Sequence, residues 1–239
     1  MPFTFAHPAI VLPLAKVPGK YLSLRALIIG SMVPDFEYFF RLKIFSSHSH
    51  HISGLFYFDL PVGLLLYFLF VQLVRVPLII HLPPNLRERF NYSFREKNLI
   101  IVIISVFAGA LSHLFWDSFT HATGYFVEHL PFFQKEILIS NGGVPMYKIF
   151  QHGSTIIGLL VIIFSISRMP RQATDHLTRH EYYWPVALLI MLLVFLGKYL
   201  TGNFSSFGDW VVTAISGALL GLLISSIIYH DRFPDRRTI

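Results

Sequence analysis

Five long apolar runs dominate this chain, and a run of that kind leaves its backbone few options. Without water beside it, each N–H and C=O must find a partner inside the same helix or a closed barrel. The runs are Leu60–Val76, Asn98–Trp116, Gly153–Ser167, Pro185–Thr201 and Trp210–Tyr229, near the roughly 20 apolar residues that a transmembrane helix needs. Asp59 stands as N-cap of the first, with Pro61 in its first turn. Only 13% of the residues are charged and 54% are hydrophobic. A soluble domain needs about 25% charged residues to cover its surface, so a water-soluble globule is excluded. The pattern predicts an all-α, multi-pass membrane helical bundle of about five transmembrane helices. It is read as one integral membrane domain over 1–239, with segments 1–53, 54–167 and 168–239.

Residues 1–53 follow another plan. Their apolar pieces, Pro8–Ala15 and Leu22–Val33, are too short to span and are joined by the breaker-rich LAKVPGK. A re-entrant or interfacial helical hairpin fits, with His7 and Asp35 at its open ends. The start, MPFTFAHPAIVLPLAKVPGK, lacks a basic n-region, so it is read as part of the mature protein.

Loop charges orient the spans, because cytoplasmic loops carry the Lys and Arg. The connection from Arg75 to Lys97 holds Arg75, Arg87, Arg89, Arg95 and Lys97. Arg168, Arg171 and Arg179 follow the third span, and the tail has Arg232, Arg236 and Arg237. These regions, the C-terminus included, are expected in the cytoplasm of a cell with the protein in its inner membrane. Residues 1–53 and 117–151 then share the external face, although Lys16, Lys20, Arg25, Arg41 and Lys43 oppose that assignment. The net charge of +6 is accounted for by these loops, and no nucleic-acid partner is expected.

The chain has no cysteine, so any metal must sit on imidazole and carboxylate. The strongest local signal is LSHLFWDSFTH. His113, Asp117 and His121 are four apart, and each such step on a helix turns about 40° and rises about 6 Å. One face therefore presents imidazole, carboxylate and imidazole in order. An ionisable group in a span costs about 2.5–3.5 kcal/mol on insertion scales and is usually functional. Ser105 and Gly109 continue the stripe upstream, and Thr213, Gly217, Gly221 and Ser225 make a second one on the last span. Small faces let membrane helices pack closely, which is the whole reading for the second stripe. His7, Asp35 with Glu37, the HSHH tract of His48 and His50, and His152 fall on the same face as His113. An extended or turning backbone is needed for both His48 and His50 to reach one centre. His81, His129, His176, His180 and His230 are read as solvated or interfacial.

The segments MPFTFAHPA, GSMVPDFEY, HSHH followed by FDLP, and LSHLFWDSFTH followed by YKIFQHGS together resemble a bacterial family of multi-pass proteins of unknown function. The likeness runs to about Ser165. More distantly the chain is similar to predicted membrane-bound metal-dependent hydrolases, and to zinc-dependent phospholipase C with its single-strand nuclease relatives. That resemblance implies His7, Asp35, His48 or His50, His113, Asp117 and His152 as metal ligands, with His121 as a further one. Glu37 stands where the hydrolase element has a second Asp, and His152 is followed by Ile156 where the phospholipase pattern has an acid.

The expected function is a membrane-embedded metal-dependent hydrolase acting on a phosphoester of a lipid or envelope metabolite. Nitrogen and oxygen ligands suit one or two zinc ions, or manganese where carboxylates dominate. Asp35 or Glu37 is the expected proton acceptor. Membrane lipid is the expected partner, and the sequence assigns no oligomeric state. The alternative is a non-catalytic metal-binding membrane protein serving transport, sensing or structure.

Overall fold

In the computed structural model, which describes residues 3–90, 98–139, 142–172, 179–202 and 204–230, all five apolar runs form helices long and apolar enough to cross a membrane. They cover Leu55–His81, Leu99–Asp117, Met146–Arg168, Tyr183–Leu200 and Phe207–Ile228. We number these spans one to five in chain order. The fold is therefore an α-helical, multi-pass membrane architecture. A short antiparallel hairpin pairs Glu136–Ile139 with Gly142–Pro145. Arg95, Lys97, His176, Arg232, Arg236 and Arg237 lie outside the described residues.

The first span begins earlier than its hydropathy suggests. Asp59 is not its N-cap but a fully buried residue inside the helix, and Gly54 stands at the start. Arg75, assigned above to a cytoplasmic loop, is likewise buried within this span. Two π-helical turns interrupt it, at Leu55–Asp59 and Phe70–Val74. Each contains the residue four before a proline, Tyr57 before Pro61 and Leu73 before Pro77. A proline lacks an N–H and its ring presses on that carbonyl, and a local π adjustment lets the helix continue.

The helices and loops gather into two units. One comprises Met1–Asp35, His48–Leu64 and Glu96–Arg168; the other comprises Phe36–Ser47, Leu65–Arg95 and Met169–Ile239. In the first unit, the short helix Leu24–Gly30 lies against the second span. The stripe read from the sequence explains how closely. A methyl group on Gly30 would overlap the Val106 carbonyl, and one on Gly109 would overlap the Leu27 carbonyl. Ser105 Oγ accepts the Ser23 backbone N–H at 2.9 Å, and Ser23 Oγ caps the short helix by accepting from Ala26 at 3.1 Å. On the third span, Thr155 Oγ1 accepts the Phe3 N–H at 3.0 Å, and Gly158 faces Ala6.

The second unit packs spans four and five through the other small-residue stripe. Gly217 lies against the Met191 backbone and Gly221 against that of Ala187, while the Tyr183 and Ser226 hydroxyls meet at 3.0 Å. His81 departs from its solvated assignment. It is buried, with Nδ1 donating to the Pro77 carbonyl at 2.6 Å. Its Nε2 accepts the His180 N–H at 2.9 Å, and its ring stacks on Tyr183. Both ring nitrogens are thus spent on structure.

Candidate metal centre

The second span delivers the first two side chains. Asn98 caps its start, Oδ1 accepting the Ile100 N–H at 2.9 Å, and the helix runs to Asp117. The His121 N–H still reaches the Asp117 carbonyl at 3.0 Å, so one further turn carries His121 onto the same face. His113 Nε2 is 3.2 Å from Asp117 Oδ2, and His121 Nδ1 is 3.5 Å from that oxygen.

Three segments remote in sequence bring the rest. His7, between two short helical turns, places Nε2 3.7 Å from Asp117 Oδ1. Its ring stacks on that of His113 with centroids 3.7 Å apart. Asp35 Oδ1 lies 3.5 Å from His113 Nε2 and 3.5 Å from His50 Nε2. His50 Nε2 is also 3.6 Å from Asp117 Oδ2. Donor atoms of His7, Asp35 and His113 lie within 4.8 Å of one another, as do those of His50, His113 and Asp117. His7, Asp35, His113 and Asp117 are buried, while His50 and His121 have side chains 17% and 24% exposed.

Much of this cluster is left without hydrogen bonds. His7 Nδ1 and Nε2, Asp35 Oδ1, His113 Nε2, both Asp117 oxygens and His121 Nε2 are buried without such a partner. A buried polar group left so costs about 1–3 kcal/mol, and seven in one place call for a common explanation. The outward atoms are fixed instead. Thr4 Oγ1 donates to Asp35 Oδ2 at 2.5 Å. His113 Nδ1 donates to the Ser31 carbonyl at 2.7 Å. A carbonyl can only accept, so in neutral His113 the lone pair is on Nε2 and points at Asp35 and Asp117. Acceptor then faces acceptor, an arrangement that requires a cation between them or a second proton on His113.

The surroundings tune the groups outside the spans. Burial, and then the neighbouring His113, lower the His7 pKa from 6.5 to about 3, which keeps its ring neutral. Burial alone would raise the Asp35 carboxyl, but the imidazoles of His113 and His50 hold it below the usual carboxylate range. Burial also lowers His121, against the pull of Asp117. Neutral imidazole and ionised carboxylate are the forms that bind metal.

Five of the residues singled out as ligands thus converge, namely His7, Asp35, His50, His113 and Asp117, and His121 borders them. His48 does not join. Its Nδ1 is 3.3 Å from the Tyr57 hydroxyl and its ring is exposed, so His50 is the residue of that tract that turns inward. His152, a full turn inside the third span rather than at its start, is exposed and outside both donor groups. Glu37 is buried, with Oε1 accepting from Arg41 at 2.8 Å and from the Ser47 N–H at 3.0 Å; it belongs to the second unit, and Asp35 is the acid of GSMVPDFEY that enters the cluster. Sequence reading missed the supports, Thr4 and the Ser31 carbonyl. Thr4 sits three residues before His7, where a hydroxyl could have been weighed; a backbone carbonyl leaves no trace in sequence.

Neither a curated protein nor a solved structure matches the chain, so its placement among known proteins rests on the family profile alone. That profile covers residues 1–227, and the chain accordingly belongs to the family described as domain of unknown function DUF4184.

Proposed function

We propose that the cluster is a divalent-metal centre and that the protein is a membrane-embedded, metal-dependent hydrolase of phosphoesters. The observation that carries this reading is that His7 Nε2, Asp35 Oδ1, His113 Nε2 and the Asp117 oxygens, all buried without a hydrogen bond, face one another at 3.2–3.7 Å. All but the 3.2 Å His113–Asp117 contact are long for hydrogen bonds. They suit ligands around an ion, since bonds of about 2.0–2.2 Å to adjacent coordination positions set neighbouring donors about 3–3.5 Å apart.

His7, Asp35, His50, His113 and Asp117 would hold the ion. Both donor groups include His113, whose Nδ1 is taken by the Ser31 carbonyl, and the one remaining ring nitrogen serves one ion, which favours a single zinc or manganese. When bound, such an ion acts as a Lewis acid toward a phosphoryl oxygen and lowers the pKa of a coordinated water. The chain's own residues do the remaining work. Thr4 and the Ser31 carbonyl hold Asp35 and His113 in orientation. With Asp35 Oδ2 taken by Thr4 and Oδ1 left to the ion, we assign the proton acceptor to His121, whose Nε2 is unbonded and whose side chain is 24% exposed. In hydrolysis a water oxygen bonds to phosphorus, the P–O bond to the alcohol breaks, and the departing oxygen takes up a proton. The phosphoester class itself rests on the resemblance to metal-dependent phosphoesterases.

The competing reading is a structural cluster in which a His113 imidazolium donates Nε2–H to Asp117. That satisfies one contact and leaves both His7 nitrogens unbonded. Metal analysis of protein purified in detergent without chelator decides between them. A wild type that holds no metal, and gains none from supplied zinc or manganese, would end the metal reading. Metal with no turnover of any phosphodiester would leave the non-catalytic role.

We further propose an inner-membrane orientation with the centre on the external side and the C-terminus in the cytoplasm, from the loop charges. The chain has no cysteine, so single Leu138→Cys and Arg171→Cys variants can be probed on intact cells with an impermeant thiol reagent. Position 138 should label and 171 should not; the reverse would invert the topology.

A further inference from the structure

An apolar groove of about 410 Å³ opens in the same unit as the cluster. Trp116, Phe119 and Thr120 line it, together with Ile157 and Val161 of the third span and with Ala9 and Ile10. Its position follows from the cluster's own chain. Trp116 precedes Asp117, Thr120 precedes His121, and Ala9 lies two residues after His7. The Trp116 ring stands 5.6 Å from that of His7, so one indole is wall to both groove and cluster.

The groove offers a ligand no free donor at its hydroxyls. Thr120 Oγ1 turns back to the Trp116 carbonyl at 3.4 Å and Ser154 Oγ to the Gln151 carbonyl at 3.2 Å. The rest of the lining is aromatic or aliphatic apart from Gly158, where a methyl group would press on Ala6. Trp116, Ile157 and Val161 belong to helices long and apolar enough to cross a membrane, and such helices would meet lipid hydrocarbon there. The volume falls within the range of ligand pockets, about 300–1,000 Å³.

We infer that the groove receives an acyl chain of a phospholipid whose phosphate lies at the cluster. This rests on the phosphoesterase reading and narrows its substrate to a lipid rather than a water-soluble metabolite. Lipid tails gain little hydrophobic free energy on moving from bilayer to groove. The groove's contribution is therefore positional: it fixes the tail so that the phosphoester is presented to His7, His113 and Asp117.

The test uses the full chain in vesicles of phosphatidylcholine and phosphatidylglycerol carrying a trace of phospholipid with a diazirine on its acyl chain. After irradiation, adducts are mapped by mass spectrometry. Trp116, Phe119 and Ile157 should be labelled several-fold more than Leu189, Leu192 and Leu193 of the fourth span, although those leucines are more exposed than Trp116 and Phe119. Val161→Trp fills the groove away from the cluster and should abolish that excess. It should also lower kcat/KM for the long-chain phospholipid about tenfold while sparing metal content and turnover of bis(p-nitrophenyl) phosphate. Labelling no greater in the groove than on the fourth span would overturn the inference. So would unchanged phospholipid hydrolysis by Val161→Trp, which would make the bound tail an annular lipid only. A wild type inert toward both substrates would instead remove the hydrolase reading and with it the substrate assignment, while the labelling contrast would still report whether the groove takes a tail.

Discussion

His113 donates Nδ1–H to the carbonyl of Ser31 at 2.7 Å, across 82 positions of sequence. This bond fixes the tautomer and aims Nε2 at two carboxylates. Partners of this kind, one shell behind a ligand, typically change metal affinity 10–100-fold when removed. On the proposed function, Ser31, the C-cap of the short Leu24–Gly30 helix, would act on the centre through a backbone atom.

Asp117 meets His7, His50, His113 and His121 within 3.7 Å. Asp117→Asn keeps its shape and removes its charge. Metal stoichiometry and phosphodiester turnover should each fall at least about tenfold, with helix content unchanged by circular dichroism. Full metal retention would reduce Asp117 to a hydrogen-bonding tie, since losing one such bond costs only about 0.5–1.5 kcal/mol.

His50 and His48 separate within one tract. His50→Ala should lower metal content sharply, whereas His48→Ala and His152→Ala should leave it within error, because both rings are exposed and outside the donor groups. Metal loss in His152→Ala equal to that in His50→Ala would contradict the arrangement described here.

Gly109 and Gly30 hold the close approach between the second span and the short helix. Gly109→Ala should lower thermal stability in detergent by about 1–3 kcal/mol, as overpacking does, and weaken metal binding by pushing Ser31 from His113. Gly153→Ala, with nothing within 4 Å of the added methyl, should be neutral or stabilising by up to about 1 kcal/mol. Equal effects at the two glycines would refute the packing argument.

Acid should destabilise the chelated, metal-free protein through His7. Its folded pKa of about 3 lies below the unfolded 6.5, so between these values the unfolded chain binds more protons. The contribution is complete above pH 6.5 and is lost as pH falls toward 3. Melting temperature should drop from pH 7 to pH 4.5, and His7→Phe, which keeps a stacking ring without titrating, should flatten that slope. An unchanged slope would show that His7 is not held neutral.

The spans and the small-residue faces were legible in the sequence, because hydropathy and four-residue spacing are local properties of a helix. The Ser105, Gly109, His113, Asp117 stripe could be read as a packing face running into His and Asp, and in the fold Ser105 and Gly109 pack closely while His113 and Asp117 are buried. Asp59 and Arg75 were misplaced for a local reason: a charged residue looks like a helix boundary until burial shows otherwise. Choosing His50 over His48, freeing Glu37 for Arg41, and excluding His152 depended on where turns and helix faces point once segments distant in the chain are packed. The sequence by itself determined which residue types could bind a cation and which helices could lie in lipid. Only the tertiary structure decided which lone pairs meet, because one rotation of a helix or turn moves a ring nitrogen by more than the few tenths of an ångström that separate a ligand from a bystander.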